Sequence, residues 1–298
     1  MSSPPTVRAS RVSLPYLAEL RERGEPIVMV TAYDHPSAVA AERAGVDVVL
    51  VGDSAATTVL GYDGTTTQVT LDDMLVLARA VRRGLHRPLL VGDLPFGSYE
   101  VSDEQAVTSA VRYVKEAGCD AVKLEGGGPT PRARARAIVD AGIPVMGHVG
   151  LTPQTATALG GWKAQGRSAA AAYRIAEDAR ALQEAGCFSI VFEAVPAEVA
   201  AAVVETLDVP VIGIGAGAAT DGQVLVFHDL LGIRDGAGAR FVKRYADLQD
   251  QMDAGVTAYA DDVRARRFPG PEHAYPIDPA ELAEFRHALQ NGAHGEGA

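Results

Sequence analysis

The chain has 298 residues, of which 47% are hydrophobic, and a formal net charge of −11 at pH 7. This length and apolar content suffice for one large core, and the acidic balance argues against nucleic acid as a partner. No apolar run approaches the ~20 residues of a membrane-spanning helix, so no membrane association is expected. Two cysteines and the lack of an N-terminal signal peptide predict a cytoplasmic location.

Short apolar segments alternate with helix-like segments along most of the chain. Buried strands are predicted over 27–31, 47–51, 88–91, 121–125, 144–147, 189–192, 211–214 and 224–227, the last of which could instead begin a helix. Helices are predicted over 17–23, a segment ending at 43, 71–83, 103–117, 131–140, 167–184 and 197–206. Thr70 and Ser102 are expected to cap two of these helices.

Continuous apolar strands alternating with helices indicate a parallel sheet covered on both faces. About eight such units predict an α/β fold of the (β/α)8 TIM-barrel kind. The alternative is an open doubly wound sheet, but its glycine fingerprint would follow the first strand, whereas the nearest match, GIGAG, comes late. We predict a flexible leader over 1–10, the barrel over 11–265, a C-terminal helical extension over 266–290 and a disordered tail over 291–298.

Polar residues close several of the predicted strands. Four times a helix ends at an Ala-Gly pair and the next strand closes on a polar residue, and PLLVG closes on an acid in the same way; these residues are Asp53, Glu125, His148, Glu193 and Asp93. The carboxyl ends of barrel strands converge on one face, which is the face where barrel enzymes place their active sites. A single acid after a strand is usually the N-cap of the next helix, but capping alone does not explain five such strand ends.

One predicted strand, 121–125, carries two opposite charges on the same face, because Lys123 and Glu125 are two residues apart. Such charges are costly to bury unless they are paired or bind something. Two interpretations therefore stay open at this point: an internal salt bridge near the barrel rim, and a functional pair.

The cluster predicts chemistry on a 2-oxo acid. Asp53, Asp93 and Glu125 offer hard oxygen ligands from three strands, which suit Mg²⁺, and such an ion stabilises the enolate of a bound 2-oxo acid. Lys123 would hold the substrate's negative charge; a Schiff-base lysine is the alternative, but the nearby acids would keep its amine protonated. Glu193 lies among apolar residues, a setting that suits a general base.

A series of longer motifs supports a narrower interpretation. The segments VTAYD, VGDS, VGDLPFGSYE, KLEGG, GHVGLTPQ, FEAVP and GIGAG occur in this order. In them the chain resembles the ketopantoate hydroxymethyltransferase family over roughly residues 7–264. The resemblance implies a TIM barrel that transfers a hydroxymethyl group from 5,10-methylenetetrahydrofolate to 3-methyl-2-oxobutanoate, giving ketopantoate in pantothenate and coenzyme A biosynthesis.

The resemblance also assigns roles to residues of this chain. One Mg²⁺ per subunit would be held by Asp53, Asp93 and Glu125. The residues implied to contact the 2-oxo acid are Asp53, Ser54, Asp93, Lys123 and His148. Glu193 would remove the proton from C3, so that the enolate attacks the methylene carbon of the folate. Members of the family form homo-decamers, and a homo-decamer is therefore expected here.

One departure from the family pattern lies in GYDGTTTQVT, where Gln68 stands in place of a usual proline. This leaves open how the loop after the second strand acts as a lid or contacts the folate. Two other functions are weighed. A related Mg²⁺-dependent lyase or mutase barrel would predict a KKCGH-type cysteine loop, which the sequence lacks. A non-catalytic binding barrel should have lost at least one of the acidic or lysine residues of the cluster, and none is missing.

Overall fold

The computed structural model describes residues 10–234, 236 and 238–292, and the chain divides into two compact units, Met1–Ala246 and Asp247–Ala298. The first unit contains a closed barrel of eight parallel strands in chain order, with β8 pairing β1. The strands are β1 (Ile27–Thr31), β2 (Val48–Val51), β3 (Leu89–Asp93), β4 (Ala121–Lys123), β5 (Val145–Gly150), β6 (Ser189–Glu193), β7 (Val211–Ile214) and β8 (Gly222–Leu225). The predicted TIM barrel is confirmed.

Most of the helices of this unit connect one strand to the next, while the first precedes β1 and the last follows β8. They are α1 (Leu14–Glu22), α2 (His35–Ala44), α3 (Ala55–Thr58), α4 (Leu71–Arg83), α5 (Asp103–Ala117), α6 (Pro129–Asp140), α7 (Ala169–Glu184), α8 (Ala197–Val204) and α9 (Phe227–Leu231), with a 3₁₀ turn at Pro153–Thr155. The short helix α3 was not expected from the sequence. It begins directly after the polar residues that close β2, so it lies at the carboxyl end of the barrel.

The ends of these helices follow from local side-chain chemistry. The Thr70 hydroxyl accepts a hydrogen bond from the backbone N–H of Asp73 at 3.2 Å, and Ser102 caps α5 in the same way, so both predicted caps are confirmed. Gly45 and Gly118 end α2 and α5 in the left-handed conformation, with φ of 72° and 68°, which glycine adopts without steric cost. The two glycine caps end their helices three residues before β2 and β4 begin.

The core has two layers, separated by the barrel wall. Alternate strand residues, such as Met29, Leu50 and Met146, fill the barrel interior, while their neighbours, such as Val49 and Leu90, pack between the strands and the helices. Most strand residues are therefore removed from water on both faces, with Val28 of β1 and Gln223 of β8 as exposed exceptions. This explains why most of the strands are continuous apolar runs in the sequence. The interior packing fixes the barrel below the polar mouth.

The last strand lies earlier in the chain than predicted. It occupies Gly222–Leu225 rather than 224–227, and Phe227 begins α9. A Cβ at position 222 would lie 2.5 Å from the carbonyl oxygen of Ile27, so the closure of the barrel between β8 and β1 needs glycine there. The backbone N–H of Phe227 donates to the Thr31 hydroxyl at 2.9 Å, which ends the strand and starts the helix.

The second unit contains α10 (Leu248–Arg264), a 3₁₀ turn at Pro271–His273 and α11 (Pro279–Gly292). The predicted disordered tail, 291–298, overlaps the last two residues of α11, and its remainder lies outside the described residues. The predicted leader, 1–10, lies outside them apart from Ser10. The predicted domain limits stay predictions. Within the described part of the chain, we find no helix that is long and apolar enough to cross a membrane.

Candidate active site at the carboxyl end of the barrel

The structure brings the predicted polar residues together at the carboxyl ends of β2 to β6. Asp93 ends β3 and pairs in register with Lys123, the last residue of β4. Glu193 ends β6 and pairs with Gly150 at the end of β5, two residues beyond His148. Because these strands are neighbours in the closed barrel, residues that are distant in sequence share one mouth, as predicted.

Lys123 is the centre of a buried charge cluster. Its ammonium Nζ lies 2.7 Å from Oδ1 of Asp93 and 3.8 Å from Oε1 of Glu125. The backbone N–H of Asp53 donates to Oδ2 of Asp93 at 3.2 Å, which joins the end of β2 to the same group. The Lys123–Glu125 pair of the sequence is thus part of a larger cluster, in which Asp93 is the closer partner of the lysine.

The cluster has more acidic than basic groups. Burial, reinforced by the Asp93 and Glu125 carboxylates, raises the pKa of Asp53 well above its ordinary value, and burial also raises the pKa of Asp93. Burial acts to lower the pKa of Lys123, but the surrounding carboxylates outweigh it and raise that pKa. The lysine therefore stays an ammonium, which agrees with the argument against a Schiff base.

His148 lies between two carboxylates. Its Nδ1 is 3.3 Å from Oε1 of Glu125 and its Nε2 is 3.3 Å from Oε2 of Glu193, at angles that fall short of hydrogen-bond geometry. Burial of the ring and the nearby Lys123 ammonium act to lower the pKa of His148, but the two carboxylates outweigh them and raise it to about 9. The imidazole therefore connects the charge cluster to the end of β6.

Glu193 is the most accessible carboxylate among those at β3, β4 and β6. Its side chain is 14% exposed, against 2% for Asp93 and Glu125. The expected apolar setting needs correction, because His148 faces the carboxylate, although Phe192 and Val195 beside it in the chain are buried. Register pairing places His148 of β5 next to β6, and the sequence around Glu193 contains no sign of it.

Ser54 lies between β2 and α3, at the same end of the barrel. Its hydroxyl lies 2.8 Å from the hydroxyl of Tyr33, and it makes no capping bond to α3 although it occupies the N-cap position. Burial raises the pKa of Tyr33 to about 12, so Tyr33 is a neutral hydrogen-bonding group here. The Ser54 hydroxyl is thus held by a side chain rather than by the helix.

Comparison with known proteins identifies the family. A family model described as ketopantoate hydroxymethyltransferase matches residues 11–271. The chain is 53% identical over 286 residues to 3-methyl-2-oxobutanoate hydroxymethyltransferase 1, mitochondrial, of Arabidopsis thaliana, covering 94% of this chain and 82% of that protein. It is 54% identical over 266 residues to the 3-methyl-2-oxobutanoate hydroxymethyltransferase of Moorella thermoacetica, covering 89% of this chain and 98% of the relative.

The chain belongs to the ketopantoate hydroxymethyltransferase family.

Solved structures of other enzymes share the fold of this ketopantoate hydroxymethyltransferase family member. A crystal structure of phosphonopyruvate hydrolase aligns with a TM-score of 0.59 at 14% identity, over 96% of this chain and 98% of the other. Oxaloacetate acetylhydrolase in complex with the product oxalate aligns with a TM-score of 0.57 at 17% identity, over 96% of this chain and 100% of the other. At such identities the likeness concerns the barrel fold alone, and it does not favour the lyase or mutase alternative over the family assignment.

Two buried polar residues that sequence reasoning missed complete the site of this family member. Gln154 contacts Asp53 and Glu125, and the Tyr99 hydroxyl donates to the side-chain oxygen of Gln154 at 2.8 Å. Both residues lie in segments that carry the family resemblance, GHVGLTPQ and VGDLPFGSYE. The family motifs were therefore the sequence signal from which these two residues could have been found. No local pattern within the motifs shows which side chains point into the barrel mouth.

The carboxylates fit a hard divalent cation by their chemistry. In the described part of the chain, no three acidic, histidine or cysteine side chains are close enough to coordinate one ion directly. Magnesium, however, commonly takes only one or two protein carboxylates and fills its other positions with water and substrate oxygens. Asp53 and Asp93 are adjacent, and three buried carboxylates surround a single ammonium. An added cation would offset this excess of negative charge, so the donor set fits the ion.

The departure at Gln68 falls on an exposed position. The neighbouring Thr66 and Val69 are buried and anchor the loop, and Thr70 then starts α4. Gln68 itself therefore makes no buried contact in the loop. Its effect on folate contacts stays a prediction.

Proposed function

We propose that this chain transfers a hydroxymethyl group from 5,10-methylenetetrahydrofolate to 3-methyl-2-oxobutanoate and so makes ketopantoate. Family membership supports the reaction. The structural observation that supports this reaction is the convergence of three buried carboxylates, one lysine and one more accessible glutamate at the barrel mouth. Atom balance requires that a carbon–carbon bond forms at C3, that one water supplies the hydroxyl oxygen, and that tetrahydrofolate leaves.

We infer one Mg²⁺ per subunit, held by Asp53, Asp93 and Glu125. When bound, the ion would supply Lewis-acid stabilisation of the negative charge that develops on the 2-oxo acid. Asp53 is the better direct ligand, because among the described residues only its Oδ2 has a hydrogen-bond partner, the Gln154 amide at 3.0 Å. Both oxygens of Asp93 have partners, Lys123 Nζ and the backbone N–H of Asp53, and both oxygens of Glu125 face Gln154 and His148. Asp93 and Glu125 would therefore bind the ion in exchange for one of these partners or through a water molecule of its shell.

Three further residues would hold the 2-oxo acid. Lys123 offsets part of the acidic charge, so that an anionic substrate can approach three carboxylates. The Ser54 hydroxyl, fixed by Tyr33, can donate to a substrate oxygen. His148 lies at the wall of the same mouth, between Glu125 and Glu193, and limits how far the substrate enters.

Glu193 is proposed as the general base that accepts the proton from C3. It is the carboxylate that a substrate can reach, and it stands apart from the acids assigned to the ion. His148 Nε2, 3.3 Å from Oε2, gives this carboxylate an electrostatic partner at the mouth. A positioned carboxylate of this kind accelerates proton transfer by roughly 10²- to 10⁴-fold.

The first test incubates the full chain with 3-methyl-2-oxobutanoate, 5,10-methylenetetrahydrofolate and Mg²⁺. We expect ketopantoate and tetrahydrofolate to form in equal amounts, measured by mass spectrometry and by the absorbance of the folate. Omitting either substrate is the control. A folded protein that makes no ketopantoate under these conditions would show that the proposed reaction is wrong.

Removal of divalent metal should abolish turnover, because the excess of buried carboxylate charge then has no counter-ion. We expect treatment with EDTA followed by desalting to stop ketopantoate formation, and added Mg²⁺ to restore it. Circular dichroism before and after treatment checks that the fold persists. Turnover that survives complete chelation would contradict the metal assignment.

Two further properties are proposed, the oligomeric state and the cellular location. We propose a homo-decamer, which light scattering of the purified protein measures as particle mass. We also keep the cytoplasm as the proposed location, from the low number of cysteines. The plant relatives are named mitochondrial, so cell fractionation is the deciding measurement.

A further inference from the structure

Gln154 is a buried polar residue to which none of the proposed steps assigns a role. It lies in the 3₁₀ turn Pro153–Thr155 after β5, and it is 5% exposed. A buried amide is costly unless its donors and acceptors are satisfied. The partners of Gln154 therefore indicate what the residue does.

The Gln154 residue makes four hydrogen bonds, which reach the ends of three strands. Its backbone N–H donates to Oε2 of Glu125 at 3.0 Å. Its side-chain Nε2 donates to Oδ2 of Asp53 and to the carbonyl oxygen of Leu94, both at 3.0 Å. Its Oε1 accepts from the Tyr99 hydroxyl at 2.8 Å. Both amide hydrogens are used, so the side chain is held on all sides.

Only one orientation of the amide satisfies these partners. Rotating it by 180° would place Oε1 against the Asp53 carboxylate and the Leu94 carbonyl oxygen, so that oxygens would face oxygens. The Tyr99 hydroxyl supports the observed orientation, because it donates to Oε1. The Gln154 amide that holds the Asp53 carboxylate is therefore itself held in one orientation.

We propose that Gln154 is a positioning residue, which holds the Asp53 and Glu125 carboxylates in the orientation that a divalent cation requires. The inference rests on the proposed function, since it takes the ion at this site from there. Gln154 engages one oxygen of each carboxylate, which directs the other oxygen of Asp53 away from the amide. Hydrogen-bonding partners of metal-binding side chains commonly set ligand orientation in this way, and their loss costs about 10- to 100-fold in metal affinity or activity.

The neutrality of glutamine suits this role. An arginine or lysine side chain here would also donate to Asp53 but would cancel part of the charge that attracts the ion. A glutamate would remove both donor hydrogens and add a carboxylate beside Asp53. Of these side chains, the amide alone orients Asp53 without changing the charge of the cluster, while the Glu125 contact comes from the backbone N–H.

The test measures Mg²⁺ binding to the full chain by isothermal titration calorimetry, without substrates. We expect Gln154→Leu and Gln154→Ala, which remove the amide without changing the charge, to weaken Mg²⁺ binding by about 10- to 100-fold. Tyr99→Phe should give a smaller loss in the same direction, because it removes the hydroxyl that fixes the amide and that also accepts from the Glu125 backbone N–H at 3.3 Å. Gln290→Leu, the same substitution at an exposed position of α11, is the matched control and should bind as the wild type does.

A merely structural role would lower the thermal midpoint of the apoprotein and leave the Mg²⁺ affinity of the folded fraction unchanged. Combining Gln154→Ala with Tyr99→Phe should weaken binding by less than the product of the two single effects, since part of the hydroxyl's effect passes through the amide. Full activity regained by Gln154→Ala at high Mg²⁺ would also support the role.

Unchanged Mg²⁺ affinity in folded Gln154→Leu, or in Tyr99→Phe if the former does not fold, would overturn the proposal. So would a wild-type protein with no saturable Mg²⁺ binding. If the wild type binds Mg²⁺ but forms no ketopantoate, the proposed reaction fails, and the affinity comparison still decides the role of Gln154.

Discussion

Substitution of Glu193 by glutamine is expected to reduce ketopantoate formation by about 10²- to 10⁴-fold, the usual contribution of a positioned general base. Glutamine keeps the size and a hydrogen-bonding oxygen next to His148, but it cannot accept the C3 proton. The decisive measurement is exchange of the C3 hydrogen of 3-methyl-2-oxobutanoate with deuterated water, followed by NMR without folate. Exchange should fall with turnover, whereas binding of Mg²⁺ and of the 2-oxo acid should persist.

The control for this substitution is Glu205→Gln, at the exposed end of α8, which removes the same charge away from the mouth. It should leave exchange and turnover unchanged. Exchange that continues at the wild-type rate in Glu193→Gln would remove Glu193 from the role of base. Loss of 2-oxo acid binding together with exchange would instead assign it to substrate binding.

Substitution of Lys123 by methionine is expected to destabilise the protein by about 3–5 kcal/mol in the absence of Mg²⁺, because it leaves buried carboxylates without their cation. Methionine fills a similar volume, so the loss reports charge rather than packing. Urea unfolding followed by circular dichroism measures the change in the free energy of unfolding. Binding of the 2-oxo acid should be lost as well, since the cluster then repels an anion.

The loss of folding stability caused by Lys123→Met should become smaller as the pH falls. The pKa values of Asp53 and Asp93 are already raised in the folded protein, so protonation favours the folded state and relieves the repulsion as the pH decreases. Added Mg²⁺ should likewise recover part of the stability, because it binds only the folded cluster.

Lys115→Met, on the exposed face of α5, is the matched control and should change the free energy of unfolding by less than about 0.5 kcal/mol. Equal stability of the Lys115 and Lys123 variants would contradict the view that the lysine balances the buried acids. A Lys123 variant that still binds the 2-oxo acid with wild-type affinity would contradict its role in substrate binding.

Much of the fold could be predicted from the sequence, because its signals are local. Continuous apolar runs identified the strands, and Thr70 and Ser102 marked the starts of α4 and α5 through hydrogen bonds within one turn of helix. The strands β1 and β7 were predicted with the bounds that the structure has. The last strand was predicted two residues too late in the chain. Its position depends on the close approach of Gly222 to β1, which closes the barrel and which no local sequence pattern encodes.

The acidic strand ends and the family motifs were likewise determined by the sequence alone, and they indicated which residues to expect at the mouth. Only the tertiary structure decided how those residues are paired. Lys123 bonds most closely to Asp93 on the neighbouring strand rather than to Glu125 on its own. His148 connects two acids, and Gln154 orients Asp53 across the mouth. These contacts join residues on different strands, and their distances follow from the register and closure of the barrel, which arise only when all eight strands pack together.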